Sequence, residues 1–267
     1  IGYSTGSTGE VTVTGSGSQW NNSGYLYVGS SGDGTLNVMA GGVVASTHGR
    51  IGDSSGSTGE VTVTGSGSEW NNSQSLSVGA FSSGTLNVTD GGVVSNTSGF
   101  IGYDSGSTGA ATVSGTDSQW DNSEVLSVGY SGNGTLNVEA GGVVSNTDGY
   151  LGKESGSTGV ATVTGSGSQW NNSDDLWIGG NDSEAGGPGA LNLNDSGLVT
   201  VSDTTRLWST GTINLDGGSL TTGSFDNSKA GTFNFHDGTL TVSGVGGSFD
   251  PGTADLKIDG MISTDLP

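Results

Sequence analysis

Four tryptophans recur within a repeated motif, and regularly spaced aromatic rings are side chains on which sugar rings can stack. The motif reads GSGSQWNNS from Gly15, and three close copies follow at intervals of fifty residues. The tryptophans that it carries are Trp20, Trp70, Trp120 and Trp170. Facing outward from stacked strands, these rings would lie about 9.6 Å apart, two strand spacings, and form a platform for a glycan. They are therefore the ligand candidates of this sequence.

A second set of residues could do acid–base chemistry. The segment SNTDG (145–149) and the pair Asp174 and Asp175 resemble the carboxylates of β-helical galacturonan hydrolases. Inverting hydrolysis needs two carboxyl groups about 6.5–9.5 Å apart, which adjacent coils could provide. However, SNTDG is the local form of SNTSG (95–99), and neither a basic pair for an acidic sugar nor a His-Gly motif follows. A lyase would need a basic residue beside a calcium site, and the five basic residues are scattered. We therefore expect no catalytic residues.

Other polar side chains suggest weaker sites. Asp182 and Glu184, in an acidic insertion, could hold Ca²⁺, which takes oxygen ligands, although a solvated loop is the simpler interpretation. His48 and His236 lie far apart in the sequence, and we interpret both as surface residues. We expect no cofactor apart from this weak calcium candidate.

The elements that would position these residues are short strands within a double repeat. An aliphatic-Gly dipeptide (Val28-Gly29 is one) recurs at alternating spacings of 27 and 23 residues, so each fifty-residue repeat holds a long and a short unit. Each unit has three short apolar segments separated by Gly, Ser, Asn and Asp, and segments such as EVTVTG alternate as strands do. A period near 25 with three strands predicts a parallel β-solenoid, and roughly eleven coils predict a rod on the order of 50 Å long.

The same spacing bears on which way the tryptophans face. Trp20 lies eight residues before Val28, and Val43 lies eight before Ile51, so the two align and the four extra residues of the long unit fall in two loops. Because Val43 is a natural core residue, we favour tryptophans that fill the core. The indole N–H would then need a buried partner, which Ser and Asn could supply. Strand parity leaves the outward alternative open, since Val43 and Val44 cannot both face in.

Between the inward residues, an outward column of threonine and asparagine is a further candidate surface for glycans. Its members are Thr12, Asn37, Thr62, Asn87, Thr112, Asn137, Thr162 and Asn192. After Ile178 the pattern loosens, with an insertion at 179–189 and phenylalanines entering the core. We predict regular coils over 1–180 and an irregular continuation of the same solenoid over 181–267.

Composition limits the partners. The 267 residues carry a net charge of −21 with five Lys and Arg, so phosphate-rich nucleic acid and anionic membranes are poor partners. No Cys is present, which excludes a disulfide framework, and no run of about 18 apolar residues is present that could span a membrane. We expect an extracellular or bacterial outer-surface location, with an anchor in a longer parent chain.

The run GSGSQWNNSGYLYVGSSGDGTLNVMAGGVV (15–44) resembles the repeat of bacterial autotransporter passengers and of some exosortase-sorted proteins. The resemblance is strong over 1–180 and loose beyond, and Ala111 and Ala161 depart from its first valine. It implies an all-β, right-handed parallel β-helix, secreted or displayed on the surface, and it supplies no catalytic site. We expect a non-catalytic stalk or adhesin segment that contacts host, matrix, glycans or neighbouring cells. A carbohydrate-binding β-helix is the alternative, and a β-helical polysaccharide hydrolase or lyase comes third.

Overall fold

The computed structural model describes residues 1–244, 247–250, 257–258 and 261–264, of which the last two segments are described by their backbone only. This part of the chain is all-β: it forms parallel strands and contains no α-helix. It consequently holds no helix that could cross a membrane.

Twenty-one short strands make up the regular part of the structure. They are β1 (Thr8–Thr14), β2 (Gln19–Asn21), β3 (Tyr25–Val28), β4 (Asp33–Met39), β5 (Val43–Ser46), β6 (His48–Ile51), β7 (Thr58–Thr64), β8 (Glu69–Asn72), β9 (Leu76–Val78), β10 (Ser83–Thr89), β11 (Val93–Asn96), β12 (Gly99–Ile101), β13 (Thr108–Ser114), β14 (Gln119–Asn122), β15 (Val125–Val128), β16 (Asn133–Glu139), β17 (Val143–Asn146), β18 (Asp148–Leu151), β19 (Thr158–Thr164), β20 (Gln169–Asn172) and β21 (Leu176–Ile178).

Each group of three consecutive strands forms one coil, and each strand from β1 to β20 pairs in parallel with the strand three places later. The first face of the solenoid holds β1, β4, β7 and their successors; the second face holds β2, β5, β8 and so on; the third face holds β3, β6, β9 and so on. This is the predicted β-solenoid, with about ten coils and three strands in each regular coil.

The spacing between coils depends on the face. On the third face, Val28 pairs with Ile51 and Ile51 with Val78, steps of 23 and 27 residues, as predicted. On the first face the step is 25 residues in every regular coil, as from Val11 to Leu36 and then to Val61. The turns before all three faces therefore differ in length between long and short coils, and the differences cancel when coils are measured on the first face.

The register on the second face corrects the predicted alignment of the tryptophans. Trp20 pairs with Val44, and Val43 pairs with Gln19. Compared with the short coil, the long coil has two extra residues in the turn before the first face, one before the second face and one before the third. The four extra residues therefore lie in three turns, and not in the two that were predicted. The prediction aligned Trp20 with Val43 and was wrong by one residue. It assumed that long and short coils have the same number of residues between the second face and the aliphatic-Gly dipeptide.

The core is a narrow column in which large and small residues alternate from coil to coil. On the second face, buried tryptophans of the long coils stack on buried valines of the short coils, such as Val94 between Trp70 and Trp120. On the third face, leucines of the long coils stack on glycines of the short coils, such as Gly99 between Leu76 and Leu126. This alternation lets neighbouring layers interdigitate at the density of a protein interior.

The turns explain the repeated serine and glycine. In the turn before Trp120, the buried Ser118 hydroxyl donates to the Ser114 carbonyl (2.7 Å) and accepts the Gly91 N–H of the preceding coil (3.0 Å). After the third face, Gly79 has a φ of 69°, and a Cβ there would lie 2.4 Å from the Thr108 carbonyl oxygen. Glycine is required at such corners because it adopts positive φ without strain and leaves room for the next coil.

Beyond β21 the strands become longer and the register shifts. The remaining strands are β22 (Gly189–Asn194), β23 (Leu198–Leu207), β24 (Gly211–Asp226), β25 (Thr232–Val242), β26 (Phe249–Asp250), β27 (Lys257–Ile258) and β28 (Met261–Thr264). Bulges interrupt the pairing of β24 with β22, β23 and β25. Phe225, Phe233 and Phe235 are buried, and Phe249 packs partly against them, as predicted. The end of the predicted irregular continuation (181–267) lies partly outside the described residues.

Candidate functional site

Three of the four repeat tryptophans lie in the core. Trp70, Trp120 and Trp170 are each 0% exposed, so no sugar ring can reach them in the folded protein. The interpretation as core residues is confirmed for these three. The alternative prediction, an outward platform of rings, is wrong for these three. Trp20 and its equivalents align with the inward Val44, and Val43, the outward neighbour of Val44, aligns with Gln19.

Each buried indole N–H has the buried partner that its position demands. Trp120 Nε1 donates to Asn96 Oδ1 (2.7 Å), and Trp170 Nε1 donates to Asn146 Oδ1 (2.6 Å). In the earlier coil, Trp70 Nε1 donates to the Ser46 hydroxyl at 3.3 Å. These acceptors belong to an inward polar column whose members bond onward to the next coil, such as Asn96 Nδ2 to Asn122 Oδ1 (2.6 Å). The column therefore supplies the hydrogen-bond acceptors that the buried indoles need.

Trp20 differs from its three equivalents. It belongs to the first coil, is half-buried, and packs partly against the core. A depression of about 310 Å³ lies beside it, lined also by Ile1, Tyr3, Tyr25 and Tyr27. Of the four ligand candidates, it alone presents part of its ring to solvent.

The threonine–asparagine column is continuous on the outer surface of the first face. Its members pair in the predicted register, for example Thr62 with Asn87 and Asn87 with Thr112. Near the far end asparagines bond to one another, as Asn214 Nδ2 does to Asn192 Oδ1 (2.8 Å). The column is a ladder of small polar side chains with no aromatic ring among them.

The structure brings Asp148, Asp174 and Asp175 together at the edge of the third face. One carboxylate oxygen from each lies within 4.8 Å of the others, closer than the spacing of about 6.5–9.5 Å that inverting hydrolysis uses. Burial raises the pKa of Asp148 and of Asp175, and the neighbouring carboxylates add to the rise. The Thr204 N–H bonds to Asp175 Oδ1 at 2.8 Å and acts in the opposite direction. The cluster is a group of mutually repelling surface carboxylates.

The calcium and histidine candidates lie apart from the carboxylate cluster. Asp182 and Glu184 are exposed and do not belong to this carboxylate group. Their loop is ordered by Asn181, whose Oδ1 accepts the N–H groups of Ser183 and Glu184. His48 stacks on Tyr25 with 4.4 Å between the ring centroids.

The most distinctive surface is an aromatic stripe on the outside of the third face. We give this name to eight residues: Tyr25, Tyr27, Phe81, Phe100, Tyr103, Tyr130, Tyr150 and Trp177. The first six are at least partly exposed, whereas Tyr150 and Trp177, at the far end of the stripe, are buried. Tyr150 pairs with Trp177 on the next coil, and their parallel rings are 4.6 Å apart. Tyr103 and Tyr130 are also stacked, at 5.3 Å. The rings thus form contacts from coil to coil along the rod.

Basic residues extend these contacts. Arg50 lies over the rings of Tyr25 (5.2 Å) and Phe81 (5.4 Å), and Lys153 lies over those of Tyr130 (5.4 Å) and Tyr150 (4.0 Å). Burial raises the pKa of Tyr150 to about 12, assisted by nearby aspartates, and burial lowers the pKa of Lys153. Aromatic rings under a cation add favourable cation–π attraction to the stripe.

Sequence reasoning about the tryptophan motif missed this stripe. The signal lies beside the aliphatic-Gly dipeptides: all six tyrosines of the chain come one to three residues before the aliphatic residue or directly after the glycine. Tyr25, Tyr27 and Tyr150 lie on the outside because strand residues alternate and the aliphatic residue faces in. The tyrosines that follow the glycine lie past a corner of positive φ, where this alternation no longer applies.

A polar groove follows the corner between the second and third faces. Two adjoining depressions, of about 370 and 350 Å³, are lined almost entirely by Ser, Thr and Asn, and both include Asn122, Ser123 and Ser145. The hydroxyls bond within the rod, as Ser145 Oγ does to Asp121 Oδ1 (2.8 Å). Asn72 Nδ2, in the second depression, is an exception: it is buried and has no hydrogen-bond partner among the described residues.

Comparisons with known proteins assign no family. No protein-family model matches the chain, and a search of curated proteins gives no match. Among solved structures, a crystal structure of a TibC-catalysed hyper-glycosylated TibA55-350 fragment is similar, with 16% identity, 98% of this chain and 93% of that chain covered, and a TM-score of 0.30. A similarity of this size carries no argument, so the architecture rests on the strand pairing, and the family resemblance of the repeat stays a prediction.

Proposed function

We propose that this chain is a non-catalytic stalk or adhesin segment of a secreted or surface-displayed bacterial protein. One observation carries the proposal: from β1 to β19, every first-face strand pairs in parallel and in unbroken register with the next. Each coil bonds only to its neighbours, so adding coils lengthens the rod without changing its cross-section. That is the geometry of a spacer.

The surface chemistry supports this role. A net charge of −21 keeps a long rod soluble and discourages unspecific association. The repeat resembles that of autotransporter passengers, which favours an extracellular or outer-surface location. The contacts of such a segment would be host or matrix surfaces, glycans or neighbouring cells, and the acidic charge disfavours nucleic acid and insertion into membranes.

The carboxylate cluster is the feature that an enzyme would need to use. Its oxygens lie within 4.8 Å of one another on an open surface, and the sequence lacks the basic pair that would hold an acidic sugar. We therefore propose no reaction for this site.

The repeat architecture allows a direct test of the stalk. Deleting residues 51–100 joins Arg50 to Ile101, which stands where Ile51 stands, so two coils are removed and the register is kept. We expect the shortened chain to stay folded, and we expect its maximum dimension in small-angle X-ray scattering to fall by about 10 Å.

The same preparations test the absence of catalysis. The chain should release no reducing ends from polygalacturonate or from neutral polysaccharides. Release that is abolished by Asp148→Asn would overturn the proposal, and so would a shortened chain that unfolds or keeps its original length.

A further inference from the structure

The aromatic stripe is not required by the repeat that builds the rod. Phe100 and Tyr150 occupy an outward column in which the neighbouring coils carry Ser77 and Ser127. The coils at Ser77 and Ser127 keep their parallel pairing, with Leu and Val buried on either side, and the two serine side chains are buried as well. The rings are therefore additions to a coil that forms without them.

The stripe also gathers the scarce positive charge of the chain. Arg50, Lys153 and Arg206, three of the five basic residues of the chain, lie along the third face. Each of the three has carboxylates beside it. Arg50 bonds to Asp53 (3.1 Å), Arg206 bonds to Asp226 (2.9 Å), and Lys153 is flanked by acidic groups.

The pairing of these basic residues with carboxylates limits the charge that a binding partner of the stripe can carry. A polyanion would have to compete with the carboxylates already bound to Arg50 and Arg206, and it would approach a chain of net charge −21. A cationic partner would meet Arg50 and Lys153 over the rings themselves. The surface therefore fits an uncharged partner that offers apolar C–H groups to the rings and hydroxyls to the flanking polar groups.

The length and width of the stripe limit the shape of the partner that it can bind. From the coil of Tyr27 to the coil of Tyr130 the accessible part of the stripe crosses four coil steps, about 19 Å, and its width is about four strand residues, or about 13 Å. The resulting area, about 250 Å², is a third of the roughly 800 Å² per partner that a stable protein interface buries. An elongated surface of this size suits a stretch of a linear polymer that lies along the rod.

We propose that the aromatic stripe is a docking surface for a linear, uncharged polysaccharide. Sugar C–H groups pack against the exposed parts of Phe81, Phe100 and Tyr103 and of the stacked Tyr130, and sugar hydroxyls bond to the guanidinium and carboxylate groups beside them. Phe100 stands at 70° to Tyr103 and 79° to Tyr130, so this cluster holds rings in two nearly perpendicular orientations. The inference rests on the proposed function, because it names the face with which the segment makes contact.

Affinity electrophoresis in native gels tests the docking, with soluble mixed-linkage β-glucan, galactomannan and xylan as neutral probes and polygalacturonate as the charged comparator. The stripe variant carries Phe81→Ser, Phe100→Ser, Tyr103→Ala and Tyr130→Ala, residues that the same columns hold in other coils. We expect at least one neutral probe to retard the native chain and polygalacturonate to retard it less. The stripe variant should bind about ten-fold more weakly, a loss of about 1.4 kcal/mol.

A matched control carries four changes on the first face: Thr62→Ala, Asn87→Ala, Thr112→Ala and Asn137→Ala. It should be retarded as the native chain is. Hydroxyl-radical footprinting of the native protein gives a second readout that needs no variant: the bound probe should protect the rings of the stripe and leave the first face unchanged.

The outcomes separate the two proposals. A chain that forms the rod and cleaves none of the probes, yet is not retarded by any neutral one, overturns the docking and leaves the stalk standing. Equal binding by the stripe variant, protection confined to the first face, or stronger retardation by polygalacturonate also overturns the docking. Release of reducing ends from a probe overturns the stalk instead.

Discussion

The buried hydrogen bond of a core tryptophan gives a sharp prediction, tested by Trp120→Phe. The substitution keeps an aromatic ring in the core and removes the Nε1–H that donates to Asn96 Oδ1 at 2.7 Å. Both residues are buried, at 0% and 5% exposed, so water cannot replace the lost donor.

The magnitude follows from two effects. A buried acceptor left without its donor costs about 1–3 kcal/mol. The smaller ring leaves space in a packed layer, which adds about 1 kcal/mol. We therefore expect Trp120→Phe to lower the free energy of unfolding by about 2–4 kcal/mol. Because coils are stabilised through their neighbours, a loss in one central coil weakens the array on both sides of it.

Trp20→Phe is the matched control. The motif is the same, but Trp20 is half-buried, and within the described residues its indole N–H makes no hydrogen bond to the protein. The expected cost is below about 1 kcal/mol. Urea unfolding followed by far-UV circular dichroism measures both variants. Equal midpoint shifts for Trp120→Phe and Trp20→Phe would refute the reasoning, since burial of the hydrogen bond is the difference between the two sites.

Three further predictions concern packing, charge and burial. Gly99→Ala places a Cβ 2.3 Å from a buried asparagine oxygen and should cost about 1–3 kcal/mol in urea unfolding, whereas Gly24→Ala meets no atom within 4 Å and should be nearly neutral. Because the pKa of Asp175 is raised in the folded state, its charge destabilises the fold above that pKa. Asp175→Asn should therefore raise Tm at pH 7, and the gain should disappear as pH falls towards the ordinary value of about 3.9; a gain that is the same at every pH would contradict this. In a variant with Trp177 and Trp208 changed to Phe, only the four repeat tryptophans remain, and their emission should be blue-shifted. Acrylamide should quench the emission of Trp20 and leave that of the three buried tryptophans, and complete quenching would contradict their burial.

Much of the fold follows from the periodic pattern. A solenoid core forms only when inward residues recur at the same place in each coil, so the aliphatic-Gly dipeptides and alternating segments such as EVTVTG predict both the strands and their parallel pairing. Large–small alternation was likewise predictable, because a tryptophan in one coil needs a smaller residue in the next. The exact turn lengths were not, and the error of one residue at Trp20 followed from that.

The sequence by itself determined the period, the three strands of each coil and the acidic charge, because these depend on residues near in the chain or on composition. The tertiary structure decided which way Trp70 faces, because a shift of one residue in a turn exchanges the inner and outer sides of a strand. It also decided which rings meet: Phe100, Tyr103 and Tyr130 come from two coils, and stacking alone brings them together. Local pattern fixes the coil, and the contacts between coils fix the surface that the rod presents.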